Sequence, residues 1–206
     1  MLSLRVVIRF IYSYYFSVRM ENKEYLSTRV VNQTGVSVSH CYQCGKCSAG
    51  CVLASDMDYP PSYIMRLLQT NRLENDRKIL SSAAIWICLN CENCIARCPQ
   101  EVDIPKVMDY LREASLAARC VHPQARPVVA FHHSFLDCVQ KTGRLYEVGL
   151  ILGFKLRTGR FMQDVKIAPS LFVKGKLHLL PEQIKNPKRM EAIFSKTIHQ
   201  RNTEHQ

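Results

Sequence analysis

Eight of the ten cysteines in this 206-residue chain fall into two runs of identical spacing, Cys41-x2-Cys44-x2-Cys47-x3-Cys51 and Cys88-x2-Cys91-x2-Cys94-x3-Cys98. Thiolate is a soft ligand suited to iron–sulfur clusters. Three sulfurs at spacings of three can wrap one face of an iron–sulfur cube, each reaching a different iron. The fourth lies too far round to close the same cube, and in two-cluster ferredoxins it ligates the other. The spacing therefore predicts two 4Fe–4S clusters with exchanged ligands. Cys41, Cys44, Cys47 and Cys98 hold the first, and Cys88, Cys91, Cys94 and Cys51 hold the second. Pro99 supplies the Cys-Pro ending of the bacterial ferredoxin run, whereas Val52 occupies that place in the first run. Gly45 and Gly50 are expected to let the backbone approach the cluster closely, with amides directed at sulfide.

Two other uses of cysteine fit less well. A disulfide framework belongs to short secreted chains and need not repeat a ligand spacing. Structural zinc takes four ligands, usually as two separated pairs, which would leave the middle cysteine of each triplet over. The remaining chemistry is sparse. The eight glycines form no G-x-G dinucleotide turn, and neither a phosphate-binding G-x-x-x-x-G-K-[ST] loop nor a G-x-S-x-G nucleophile turn occurs. No catalytic residue is expected on this chain; the task left to it is to hold and pass single electrons. Cys120, Cys138, His40 and the pair His132-His133 read as structural or exposed positions. Trp86, two residues before Cys88, reads as a cluster shield or as ordinary core packing, and Lys46 and Arg97 inside the runs as an offset to cluster charge or as solubility alone.

Free thiolates require a reducing compartment, so the chain is expected in the cytoplasm. The formal charge of +11 falls to roughly +7 once each oxidised cluster with its four thiolates contributes about −2. The excess is lopsided: residues 1–119 hold 14 Lys/Arg against 11 Asp/Glu, and residues 120–206 hold 14 against 6. With no nucleic-acid reader motif, this cationic part reads as a docking face for an acidic protein partner or simply as solvated helix surface. Val6 to Val18 is apolar but too short to span a bilayer, so no integral membrane span is expected. Residues 1–19 read as an overextended start with translation beginning at Met20; an amphipathic anchor making peripheral membrane contact is the alternative.

The positioning elements read as helices throughout. Residues 20–40 look polar and extended, with a turn at Thr34-Gly35. Pro60-Pro61 introduces a helix carrying Tyr63, Ile64, Leu67 and Leu68. A polar connection through Asn71–Arg77 then leads to a second helix whose Ala83, Ala84, Ile85 and Trp86 run into Cys88. Asp103 caps the next helix, with Pro105 in its first turn and Val107, Met108, Leu111, Ala114 and Ala118 in one stripe. Pro127 opens a segment with Val128, Phe131, Phe135 and Val139 on one face, ending near Gly143. In the apolar stretch Leu145–Leu156, Gly149 and Gly153 allow close helix contact. Pro169 bends Phe161–Lys174, and Asn186-Pro187 caps a last helix with Met190, Ile193 and Phe194. The expectation is an all-α protein: an N-terminal segment 1–37, an α-helical dicluster ferredoxin domain 38–119, and a basic helical extension 120–206.

The pattern also resembles a known family. Cys41-Tyr-Gln-Cys-Gly-Lys-Cys-Ser-Ala-Gly-Cys51, Met57-Asp-Tyr-Pro60, Ile85-Trp-Ile-Cys-Leu-Asn-Cys91 and Cys98-Pro-Gln-Glu-Val-Asp-Ile-Pro105 are similar to the C subunit of heterodisulfide reductase. Further matches are Phe135-Leu-Asp137, Gly143-Arg-Leu-Tyr-Glu147, Lys155-Leu-Arg-Thr-Gly159, Lys174-Gly-Lys-Leu177 and Leu180-Pro181, so the resemblance runs over roughly residues 38–197. It implies a subunit with two 4Fe–4S clusters that relays electrons between a flavin-containing A-type subunit and a cysteine-rich catalytic B-type subunit. The eight cysteines of the runs carry over individually as ligands. The paired Cys-Cys motif of the catalytic subunit is absent. Two other readings stand beside it. One is the iron–sulfur subunit of a flavin dehydrogenase acting on glycerol 3-phosphate, glycolate or lactate. The other is a redox-silent binding module held together by metal.

Overall fold

Why the chain before the first cysteine run folds is not evident from its own residues. In the computed structural model, which describes residues 24–162 with positions 173, 184, 190 and 192–196, Leu26–Thr34 is helix α1. This corrects the extended reading of residues 20–40. Tyr25, at its start, supplies no side-chain cap; instead the carboxylate of Asp76, fifty positions on, accepts from the Leu26 amide at 3.1 Å. Leu26 and Val30 point into the core, so a mostly polar helix is held by two apolar contacts and a remote cap. Gly35 ends it at φ +71, the left-handed conformation that glycine adopts most readily, as the Thr34-Gly35 turn predicted.

The remaining elements of the first compact unit, which extends to Ala125, are α2 (Lys46–Ala49), α3 (Pro61–Gln69), α4 (Leu73–Leu80), α5 (Ala84–Ile87), α6 (Asn93–Ala96) and α7 (Ile104–Ala117). A 3-10 turn over Val38–His40 leads into the first cysteine run. On α3, Ile64, Leu67 and Leu68 are buried while Tyr63 stays exposed. The stripe on α7 is as expected, with Val107, Met108, Leu111 and Ala114 buried. Asp103 caps this helix, accepting from the Lys106 amide at 3.0 Å. α7 is the spine of the unit, since α1, α4, α5 and α6 all pack on it.

The expected polar connection over Asn71–Arg77 is largely helix. α4 begins at Leu73, with Glu74 and Asp76 in its first turn and Arg77 and Lys78 in its last, charges that suit the helix dipole at each end. What reads as one helix running into Cys88 is two, α4 and α5, broken at Ser81–Ala83. The break is stabilised by Asp58, whose carboxylate accepts from the Ala83 amide (3.0 Å), the Ala84 amide (2.8 Å) and the Ser82 hydroxyl (3.2 Å).

A second compact unit begins at Arg126, whereas the expected join lay at 119/120. Its described helices are α8 (Arg126–Thr142) and α9 (Glu147–Thr158), which pack on each other. A Cβ added at Gly153 would lie 3.3 Å from the Ser134 hydroxyl, so this glycine serves close helix contact, whereas one added at Gly149 would meet first the Tyr146 ring at 2.5 Å, with Cys138 Sγ at 3.4 Å. Arg157 reinforces the pair, donating to Ser134 (3.1 Å) and pairing with Asp137. Phe131 meets Phe154 edge-on with ring centroids 6.3 Å apart. Val128, Phe131 and Phe135 nevertheless remain partly exposed. The expected bend at Pro169 and the cap at Asn186-Pro187 lie outside the described residues, as do residues 1–19. All regular structure among the described residues is helical, in agreement with the all-α reading.

Candidate iron–sulfur site

Both cysteine runs fold into the same backbone pattern. Cys41 and Cys88 each end a short helical turn; the second residue after each, Gln43 or Asn90, has a positive φ (64° and 51°). After the next cysteine, Gly45 and Glu92 are again left-handed, at 76° and 60°. Each loop then enters a single helical turn, α2 or α6, that carries the third cysteine, and these two turns pack against each other. Left-handed residues alternating in this way are the backbone signature of a concavity that binds an anion with amide groups.

The cysteines line two separate recesses. Cys41, Cys44, Cys47 and Cys98 line one, with Gln43, Ser62 and Val102 in its wall and about 350 Å³ of atom-free space that opens to solvent. Cys51, Cys88, Cys91 and Cys94 line the other, with Met57, Pro61 and Met108 in its wall and about 420 Å³ of such space. Each recess is lined by three cysteines of one run and one of the other. Ile104, at the start of α7, lines both recesses. Among the described residues no group of three or more His, Cys, Asp or Glu converges closely enough to hold a single ion. The sulfurs surround a space instead, as a polynuclear cluster requires and a lone tetrahedral zinc does not. Four thiols about each recess, in loops with an anion-binding backbone, are a donor set that fits 4Fe–4S.

Exposure within each quartet is uneven. Cys44 and Cys91 are exposed, Cys47 is buried, and the other five are half-buried. Burial pushes the Cys47 thiol up. Burial, followed by the neighbouring Cys88, pushes Cys94 up to about 11. Without metal these thiols hold their protons at neutral pH, so iron must displace protons as it binds. The Val102 amide donates to Cys98 Sγ at 3.4 Å, the kind of hydrogen bond that stabilises a ligating thiolate.

The anchoring of the loops has no local signal in the sequence. Gln69, at the end of α3, donates through its amide nitrogen to the carbonyls of Val38 (3.0 Å) and Cys41 (2.6 Å). Arg112 on α7 does the same for the second loop, donating to the carbonyls of Ile85 and Cys88. Val38 and Cys41 correspond to Ile85 and Cys88 at a constant offset along the chain, so the clamp is repeated at equivalent carbonyls. Ser48 on α2 adds another tie: its hydroxyl accepts from the Ser62 amide at 2.8 Å, capping α3.

Other positions read from sequence fall as follows. Gly50 makes room for Arg97, since an added Cβ would lie 2.2 Å from Arg97 Cδ. Lys46, His40, His132 and His133 are exposed. Trp86 packs against the core, with its indole nitrogen buried and unpartnered. Cys120 packs on the same core and Cys138 on the α9 contact, and burial raises both thiols.

Comparison with known proteins agrees with this chemistry. Residues 37–102, inside the first unit, match the 4Fe-4S dicluster domain family, which supports an iron–sulfur electron-transfer role for this stretch. More particularly, the chain is similar to the C subunit of heterodisulfide reductases. It is 36% identical over 81 residues to the C subunit of the ferredoxin:CoB-CoM heterodisulfide reductase of Methanosarcina acetivorans, covering 39% of this chain and 31% of that one. Identity is 29% over 110 residues to the C subunit of the H(2):CoB-CoM heterodisulfide,ferredoxin reductase of Methanothermobacter thermautotrophicus, covering 53% and 57%. It is 35% over 85 residues to the iron-sulfur C subunit of the CoB–CoM heterodisulfide reductase of Methanopyrus kandleri, covering 41% of each. The alignments thus span from 31% to 57% of these relatives' own lengths. They agree with the resemblance read from the motifs, and with an iron–sulfur electron-transfer role.

Proposed function

We propose that this chain is the electron-transfer subunit of a heterodisulfide-reductase-like complex, relaying single electrons through two 4Fe–4S clusters between a flavin-containing subunit and a catalytic disulfide-reducing subunit. The observation that carries the reading is the division of the eight cysteines between two recesses, each lined by three from one run and one from the other. Cys41, Cys44, Cys47 and Cys98 would hold the first cluster, and Cys88, Cys91, Cys94 and Cys51 the second. The groups themselves supply reversible one-electron storage.

The chain's residues do the rest. Packing of α2 on α6 sets the two recesses side by side, the arrangement an electron relay needs. Leu53, Met57, Ile104 and Met108 exclude water on the core side, while exposed Cys44 and Cys91 mark where each recess meets solvent and hence a partner. Tyr42 and Leu89, exposed beside those cysteines at equivalent places, offer apolar contact. The cationic region 120–206 contributes charge-steered docking to both partners. Thiols that must stay reduced support a cytoplasmic location for the complex. Among the described residues no helix is long and apolar enough to cross a membrane.

Anaerobic purification with iron and sulfide analysis tests the cofactor claim: about eight irons per chain are expected. A value near four, or zinc alone, would remove the relay. Reduction with dithionite should give the paramagnetic resonance signal of two coupled reduced cubes, and co-purification with a flavoprotein tests the partner claim.

A further inference from the structure

The two clamps are equivalent in place and unlike in charge. Gln69 holds the carbonyls of Val38 and Cys41 with a neutral amide, whose oxygen lies 3.0 Å from the Gln43 amide. Arg112 holds the carbonyls of Ile85 and Cys88 with a guanidinium. Its remaining nitrogen pairs with Asp109 at 2.7 Å, and Asp109 in turn accepts from the Asn90 amide at 2.8 and 2.7 Å. The pair is not balanced toward the loop. The Arg112 side chain is 22% exposed, with two of its nitrogens on loop carbonyls, whereas the Asp109 side chain is 56% exposed and better screened by water. Both charges lie against the Cys88 loop, and the cation is the better shielded of the two.

Among the described residues, the charges inside and beside the two runs do not cancel this difference. Arg97 precedes Cys98, a member of one quartet, and lies over Gly50, which precedes Cys51 of the other, so it acts on both. Lys46 and Glu101 near the first recess, and Glu92 near the second, are exposed and solvent-screened.

Resting on the two-cluster reading above, we propose that Arg112, standing where the first half of the unit has Gln69, raises the reduction potential of the cluster at Cys51, Cys88, Cys91 and Cys94 above that of the cluster at Cys41, Cys44, Cys47 and Cys98. A cluster gains a negative charge on reduction, and a shielded cation beside one of its ligands favours that form. The relay then has a built-in polarity. On transfer the first cluster is oxidised by one electron and the second reduced by one, with the flavin subunit as the external reductant.

The test is a redox titration of the cluster-loaded full chain, followed by paramagnetic resonance, in the wild type and in Arg112→Gln, Arg112→Lys and Asp109→Asn. In Arg112→Gln the higher midpoint should fall, with about a tenfold loss in the reduced-to-oxidised ratio at fixed potential, equal to ~59 mV for one electron. The lower midpoint should move much less. Arg112→Lys should retain most of the wild-type value, and Asp109→Asn should raise the higher midpoint. A chain that keeps its irons while both midpoints move together, or neither moves, overturns the proposal and leaves the two-cluster reading standing. Should Arg112→Gln fail to load, an unmoved or lowered midpoint in Asp109→Asn overturns it equally. Wild-type protein with only about four irons removes the cofactor reading instead.

Discussion

The first cysteine loop, 41–51, and the second, 88–98, share a backbone and differ in what holds it. Left-handed conformations recur at Gln43 and Asn90, then at Gly45 and Glu92, and a remote side chain clamps the carbonyl of the first cysteine in each. Yet glycine in one loop is glutamate in the other, and a neutral clamp in one is cationic in the other. The comparison separates what a ligand loop requires from what it tolerates. Backbone shape and sulfur position are repeated, whereas the side chains that enforce them are free to vary. Variation in those side chains is the means by which two chemically alike centres can be made unequal.

The largest expected effect tests whether the loops share ligands. Cys44→Ser and Cys91→Ser each remove a cysteine assigned to its own run's recess and identify the two spectroscopic signals. Cys51→Ser should then lose the same signal as Cys91→Ser, and Cys98→Ser the same signal as Cys44→Ser, each falling from about eight irons to about four. If Cys51→Ser instead matches Cys44→Ser, each loop binds its own cluster and the crossed assignment is wrong.

Next in size is the pH response of the metal-free chain. The Cys94 thiol is raised to about 11, mainly by burial, so the fold favours its protonated form. That contribution is fully present below the usual thiol value and is lost as pH rises through about 11. Thermal denaturation of the metal-free chain should therefore show a lower Tm at pH 10.5 than at pH 8, and Cys94→Ser should flatten that decline. The iron-loaded protein should be far less sensitive, because iron has replaced the proton.

The two cysteine runs were legible in the sequence because their spacing is a ligand spacing, and the α7 stripe was legible because its cap, Asp103, lies beside it. What was hidden depends on distant residues. Helix α1 is capped by the remote Asp76 and has no local signal, whereas α5 has a local one in Ser82, whose hydroxyl accepts from the Ala84 amide, beside the remote Asp58. The clamps were hidden for the same reason: Gln69 and Arg112 look like exposed helix residues until their carbonyl partners are known. A weak hint was present for Asp58, which lies inside the Met57–Pro60 motif although its role was not assigned.

Asp58 sharpens the comparison at the level of stability, since it caps α5, the turn leading to Cys88, and the first loop's counterpart turn over Val38–His40 has no such cap. Asp58→Ala should cost about 1–2 kcal/mol, the scale of a lost helix cap, in a denaturant titration. Arg112 still holds the Ile85 and Cys88 carbonyls, so the iron content should survive the change.

The smallest effects come from exchanging the left-handed residues. Gly45 sits at φ +76 with nothing within 4 Å of an added Cβ, so Gly45→Ala meets no clash and carries only the backbone penalty, about 1 kcal/mol. Glu92 already bears that penalty at φ +60. Glu92→Gly relieves it but gives the unfolded chain more freedom, and the two offset to leave a gain of about 0.5 kcal/mol or less. Denaturation midpoints should thus move in opposite directions, by unequal amounts, for mirror-image changes at equivalent sites. A Gly45→Ala variant as stable as the parent would mean that the first loop can leave the left-handed region, and that the shared backbone is not what the two runs require.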